Sequence, residues 1–199
     1  MHADVSNERN HRKAVWGGRI KLAALLLCAT LLPSSCSEAI RTGQGSSYLV
    51  MTTLEGADGV PVHSDVVSDE GGIIDDVGTA AFTLQMKDVL NTPSANNAIT
   101  LTQYRVEYIR SDGHNIQGVD VPYAFSGGLN LTISGTGSAG FTLVRVQAKL
   151  ESPLKALRGL GGNVAISTVA RVTFFGHDQT GREVSVTGNI DVNFADWAG

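Results

Sequence analysis

The sequence predicts an all-β domain, and three observations carry that prediction. Polar and apolar residues alternate with a period of two through much of the chain after residue 46, the spacing that sets one face of a strand inside and the other in water. The alternation is cleanest in two runs, Val164–Phe175 and Glu183–Phe194, joined by the turn-forming link Gly176–Gly181; together they read as a β-hairpin. Only one short segment has helical spacing. Six or more half-buried strands need a second layer to cover their apolar faces, so residues 47–199 are expected to form an antiparallel immunoglobulin-like β-sandwich with one short helix.

Ahead of this domain stands a segment of another kind. Ile20–Cys36, IKLAALLLCATLLPSSC, holds an uncharged run from Leu22 to Leu32 behind a basic cluster of Arg9, Arg12, Lys13, Arg19 and Lys21. A cationic lead, a short apolar core and small residues before a cut are the layout of a secretory signal peptide. The run is too short for a spanning helix, which needs roughly 20 apolar residues. Pro33-Ser34-Ser35-Cys36 resembles a bacterial lipobox, in which the cysteine is lipidated and becomes the mature N-terminus. The resemblance departs at Pro33, where that pattern has an aliphatic residue. The competing cut lies after Ser37-Glu38-Ala39, which satisfies the small-x-small rule. Ser37 after the cysteine resembles the sorting pattern for the outer membrane. The polar lead before Val15 belongs either to the signal or to an upstream extension of a later start.

The expected organisation is therefore a signal peptide over 1–35, a flexible tether over 36–46 and the β-domain over 47–199. Of 15 basic and 19 acidic residues, five basic and two acidic precede Cys36, which leaves a net charge of −7 on the remaining 164 residues. Such a domain repels phosphate backbones, and nucleic acid is not an expected partner. Both cysteines, Cys28 and Cys36, fall in the leader or at the cut, so the domain must hold itself together by packing alone.

In chain order, Ser47–Leu54 is expected as the first strand on its Tyr, Val and Thr content. Glu55–Gly59 is turn chemistry, Val62–Val67 a second strand, and Ser68–Gly72 a further break. Thr79–Leu90 sets Phe82, Leu84 and Met86 against Thr83, Gln85 and Lys87, and Asn91–Asn97 is a loop. Thr100–Arg110 puts Thr102, Tyr104, Val106 and Tyr108 on one face. Val119–Phe125 is extended but carries Pro122, which belongs at an edge or in a crossover because it cannot donate to a ladder. Leu129, Leu131 and Ile133 alternate inward. After a glycine-rich link, Phe141–Leu150 is the next strand; its apolar set switches parity from Phe141 and Leu143 to Val144, Val146 and Ala148, as a β-bulge would cause. Ser152-Pro153-Leu154 opens the helix with Ser at the N-cap and Pro at the first helical position, Leu154 and Leu157 share a face, and Gly159 or Gly161 ends it. In the terminal hairpin Val164, Ile166, Val172 and Phe174 face Val184, Val186, Ile190, Val192 and Phe194.

Few residues offer chemistry. Gly135–Gly140 matches G-x-G-x-x-G, but a strand follows where a phosphate cradle needs a helix N-terminus, so a hairpin is the better reading. Asp69, Glu70, Asp75 and Asp76, with Asp65 and His63 upstream, form an acidic stretch that could order around calcium; the spacing fits no EF-hand. His114 and His177-Asp178 fall in turns, and no serine elbow is present. Tyr123, Phe125, Phe194 and Trp197 form either an aromatic patch or the ends of a core.

The segments GVDVPYAF (118–125) and ISTVARVTFFGHDQTGREVSVTG (166–188) resemble those of bacterial envelope proteins, predicted lipoproteins of similar length. The resemblance implies export and a β-domain, and brings no activity and no catalytic residue with it. The expected function is that of a cell-envelope lipoprotein acting as a structural or binding module: not an enzyme, no cofactor, no metal, lipidated at Cys36. It would sit in the outer membrane through that anchor, facing the periplasm or the surface, with an envelope protein or glycan as partner; a soluble periplasmic or secreted form follows from the other cut. Two rivals are an envelope hydrolase with its site in the 55–78 or 111–128 loops, and a carbohydrate-binding sandwich with Tyr123, Phe125 or Trp197 exposed.

Overall fold

A computed structural model describes residues 45–57, 59–68 and 71–197; the expected signal segment, Cys36 and the expected tether up to residue 44 lie outside them. The described domain is mostly β. Eight strands form two sheets: β1 (Ser47–Gly56), β3 (Asp76–Met86) and β6 (Thr136–Val144) in the order β1-β3-β6, and β2 (Val62–Asp65), β4 (Ile99–Ile109), β5 (Phe125–Ile133), β7 (Ile166–Asp178) and β8 (Glu183–Ala195) in the order β2-β8-β7-β4-β5. The sheets face each other across an aromatic core. Phe82 of β3 meets Phe174 of β7 edge to face at 5.0 Å, and Phe141 of β6 meets Tyr104 of β4 at 5.5 Å.

The terminal hairpin forms with the expected faces. Ala170, Val172, Phe174, Ile190, Val192 and Phe194 are buried, while Arg171, Glu183, Ser185, Thr187, Asn189 and Asp191 are exposed. Its strands run longer than their apolar runs because β7 continues through Gly176 to Asp178. Gly176 is required there: a Cβ would stand 2.1 Å from the Thr100 carbonyl oxygen, where β4 bulges against β7. Val164 stays outside the hairpin, exposed beyond a 3₁₀ turn at Gly161–Asn163.

Several expectations are corrected. The sandwich is not wholly antiparallel, because β2 pairs with β8 in parallel, Val62 against Val192 to Asp65 against Ala195. The β1–β2 connection crosses between the sheets and delivers β2 to that edge already running with β8. Thr102 is exposed: it is the extra residue of a bulge between Leu101 and Gln103, which is why Leu101 and Tyr104 both point inward. Leu129 and Leu131 do face the core, as their alternation required, but are only half-buried. The glycine-rich link is itself strand, since β6 begins at Thr136, and Ser134-Gly135 is a corner between sheets rather than a hairpin turn.

The bulge at the end of β6 is real, with Leu143 unpaired between Thr142 opposite Val77 and Val144 opposite Asp76. Beyond it the chain is not strand but a short helix, α1 (Val146–Leu150). The helix expected at Ser152 is a 3₁₀ turn over Leu154–Leu157, with Pro153 rather than Ser152 at its N-cap; both leucines are buried as their spacing required. Val119–Phe125 is mostly loop, since the Ile116 carbonyl draws in the backbone N–H groups of Val119 and Asp120. Pro122 lies in the loop joining the neighbouring antiparallel strands β4 and β5, not in a crossover, and β5 starts only at Phe125.

Candidate functional site

The two ends of the sandwich are built differently. The entry end gathers the start of β1, the loop 87–98, the Ser134-Gly135 corner and the β7–β8 turn. Hydrogen bonds bind these together: Lys87 N to Ser46 O at 2.9 Å, Asn97 Nδ2 to Ser46 Oγ at 2.9 Å, Gln179 Nε2 to Ala98 O at 3.3 Å. In the turn itself Asp178 is partly desolvated, but the Thr180 hydroxyl and the N–H groups of Arg182 and Thr180 outweigh that and hold its carboxyl below the usual range. The far end carries the connections on either side of β2, between β1 and β3, and the two longest loops, 110–124 and 145–165.

The acidic stretch does not converge on one point. Among its described members, Asp65 accepts Val67 N at 3.3 Å and Trp197 N at 3.1 Å, Asp75 accepts Val146 N at 2.5 Å at the start of α1, and Asp76 pairs elsewhere. Asp69 and Glu70 lie outside the described residues. Among the described residues no group of three or more His, Cys, Asp or Glu is placed to hold a metal.

The histidines are not brought together either. His63 stands on β2, its ring edge-on to Trp197 at 5.0 Å. His114 hangs exposed from the loop after β4, 3.5 Å from Asp112. The Arg110 fork on Asp112, helped by the His114 N–H, holds that carboxyl at about 2. His177 lies at the entry end of β7, and β2 and β4 stand three strand positions apart, roughly 14 Å. The aromatics separate in the same way. Phe125 and Phe194 are core, whereas Tyr123 and Trp197 are part-exposed on different loops.

One polar cluster had no sequence signal. Lys149 of α1 is fully buried, and its Nζ lies 2.8 Å from Asp76 Oδ1; Ser64 Oγ, also buried, donates to Asp76 Oδ2 at 2.5 Å. Through Asp76 of β3 the cluster joins β2 of the other sheet and α1. A serine that donates to an ionised aspartate is not activated as a nucleophile, because that carboxylate is a weak base. Its chemistry is that of a brace.

Beside it lies an open recess of about 280 Å³ between the start of β5, the end of β6 and α1. Asp75, Tyr104, Phe125, Ser126, Arg145 and Gln147 contribute to its wall. The Arg145 guanidinium carbon sits 4.4 Å above the Phe125 ring, and its enclosed Nε has no hydrogen-bond partner. The Tyr104 ring crosses Gly127, where a Cβ would stand 2.3 Å from it, so that its hydroxyl accepts Thr142 N at 3.2 Å. A guanidinium, a carboxamide and a hydroxyl around an aromatic floor can hold a small polar group by hydrogen bonds.

No family model and no curated protein matches the chain. Among solved structures, it is similar to a late embryogenesis abundant (LEA) protein solved in solution, with 10% identity and a TM-score of 0.42 over 98% of this chain and 95% of that one. It is also similar to part of a Pseudomonas fluorescens alkylpurine DNA glycosylase bound to DNA containing an abasic site analog, with 11% identity and a TM-score of 0.29 over 74% of this chain and 30% of that one. At these scores the two likenesses carry no argument about fold or function.

Proposed function

We propose that this chain is an exported cell-envelope lipoprotein whose β-domain, an immunoglobulin-like sandwich, acts as a non-catalytic structural or binding module. The observation that carries the reading is the stretch Ile20–Cys36: a basic lead, an apolar run too short to span and a cysteine behind small residues. The domain's first strand begins about ten residues after that cysteine, at one end, and the recess and long loops lie toward the other. An anchored domain would thus hold its recognition surface away from the membrane, toward an envelope protein or glycan.

The immunoglobulin-like reading is supported by strand order. Counted without β2, the first, second and fifth strands share one sheet and the third, sixth and seventh the other, as in that fold, with the fourth strand moved beside the third. The non-catalytic reading is supported by the separation of His63, His114 and His177 and by the sealed Ser64.

Fatty-acid labelling and intact mass of the protein from its native envelope test the anchor. Lipid on Cys36, lost together with membrane retention in Cys36→Ser, is the expected result. A lipid-free protein beginning at Ile40 would overturn it and establish the cut after Ala39.

A further inference from the structure

Val89 and Leu90 are adjacent in the loop after β3 and are 91% and 90% exposed, the highest values of any large apolar residues described. Loop tips are ordinarily polar, and two neighbouring aliphatic side chains held in water are costly to keep there. They are not held loosely. Asp88 Oδ1 accepts Leu90 N at 3.0 Å, Asp88 Oδ2 accepts Asn91 Nδ2 at 2.9 Å, and Asn91 N closes the turn on Asp88 O at 3.1 Å. This turn presents both side chains outward.

Their position gives the occupant. Lys87 N bonds Ser46 O, so the turn starts beside the point where the chain enters the domain, at the entry end. Eight residues lie between Cys36 and Gly45, nine Cα–Cα steps and at most about 30 Å of extended chain. The domain's net charge is negative, which argues against attraction to acidic headgroups and for a contact made by apolar burial. We propose that Val89 and Leu90 insert into the interfacial layer of the membrane that carries the Cys36 anchor, making a second, apolar contact that fixes which end of the sandwich faces the lipid. This rests on the lipoprotein reading of Cys36.

The test uses the full-length lipidated protein reconstituted in phosphatidylcholine vesicles, with and without phosphatidylglycerol. A thiol-reactive environment-sensitive dye is placed in Val89→Cys, Leu90→Cys or Val119→Cys; Val119 is an exposed apolar residue of the far end, and these surface sites leave the core intact. The expected result is a blue-shifted emission, quenched by spin-labelled lipid, at 89 and 90 but not at 119, in both vesicle types. Quenching at 89 and 90 no greater than at 119, in protein whose mass shows the acyl groups, overturns the tip contact and leaves the anchor standing. If the mass shows no lipid, the anchor reading falls, and the same labels on the acyl-free protein with vesicles decide the tip: selective quenching keeps it, and none removes it.

Discussion

The hydroxyl of Tyr108 donates a 2.7 Å hydrogen bond to the carbonyl of Leu143, the residue that bulges out of β6. Two pleat repeats earlier on β4, the Tyr104 hydroxyl accepts the N–H of Thr142. A bulge disrupts a ladder and leaves backbone groups in need of partners, and here two side chains of the opposite sheet supply them. The sheets are thereby joined by polar contacts as well as by the core.

Tyr108→Phe keeps the ring and strands the Leu143 carbonyl in the interior, so it should cost about 1–3 kcal/mol. Tyr104→Phe, next to the open recess where water can substitute, should cost less. Urea midpoints of the two variants rank them; equal losses would mean that Leu143 finds another donor.

The same tyrosine sets a limit at alkaline pH. Burial, with the negative charge of Asp76 adding to it and Arg145 opposing, raises its phenol far above the ordinary value of 10.0. Unfolded chains ionise this group from about pH 10 upward while the folded protein does not. The stability it lends is therefore intact below pH 10 and drains away as pH climbs further. Between pH 9 and 11 wild type should lose stability more steeply than Tyr108→Phe; parallel curves would show that other groups govern the decline.

On β7, neighbouring residues should behave as opposites. Phe174 is fully buried against Phe82, Phe141 and Tyr104, and Phe174→Ala should cost roughly 3–5 kcal/mol. Thr173 shares only a surface hydroxyl pair with Thr187 at 2.9 Å, and Thr173→Ala should cost under about 1 kcal/mol. Thermal melts of both decide whether the strand register is right, since a slip of one residue would exchange the two results.

Lys149→Met takes one partner from a buried pair and should cost about 3 kcal/mol, near the low end for such a loss because Asp76 keeps some contact with water. Adding Asp76→Asn, which removes the stranded charge, should restore part of it. Additive losses in a double-mutant cycle would show that the pair is not coupled.

Strand faces were legible in the sequence wherever one side is buried and the other wet, because a period of two leaves no other reading; the terminal hairpin and β3 are the cases. Irregularities were legible only in part. The parity switch at Leu143 and Val144 marked a bulge, whereas the bulge at Thr102 left no trace, since threonine suits either face. The recess and the Lys149 brace were not legible at all. Lys149 and Asp76 are 73 residues apart and Arg145 and Phe125 meet only through the fold, so no local pattern announces them. The acidic stretch misled for the opposite reason: proximity along the chain suggested a shared ligand, and the fold sent Asp65, Asp75 and Asp76 to separate partners.

The parallel seat of β2 on β8 has a kinetic consequence. Val62 waits for Val192, 130 residues later, and β8 lies between β2 and β7 inside its sheet. Synthesis delivers the chain from its N-terminus, so β2 emerges early with no edge to join, and β7, which can pair with β4 on one side, lacks its other neighbour until β8 is out. Such long-range closure slows folding, because the loop entropy falls due before any contact repays it. A chain of this order stays unfinished until Phe194 has emerged, which would suit the threading through a translocation channel that the proposed export requires.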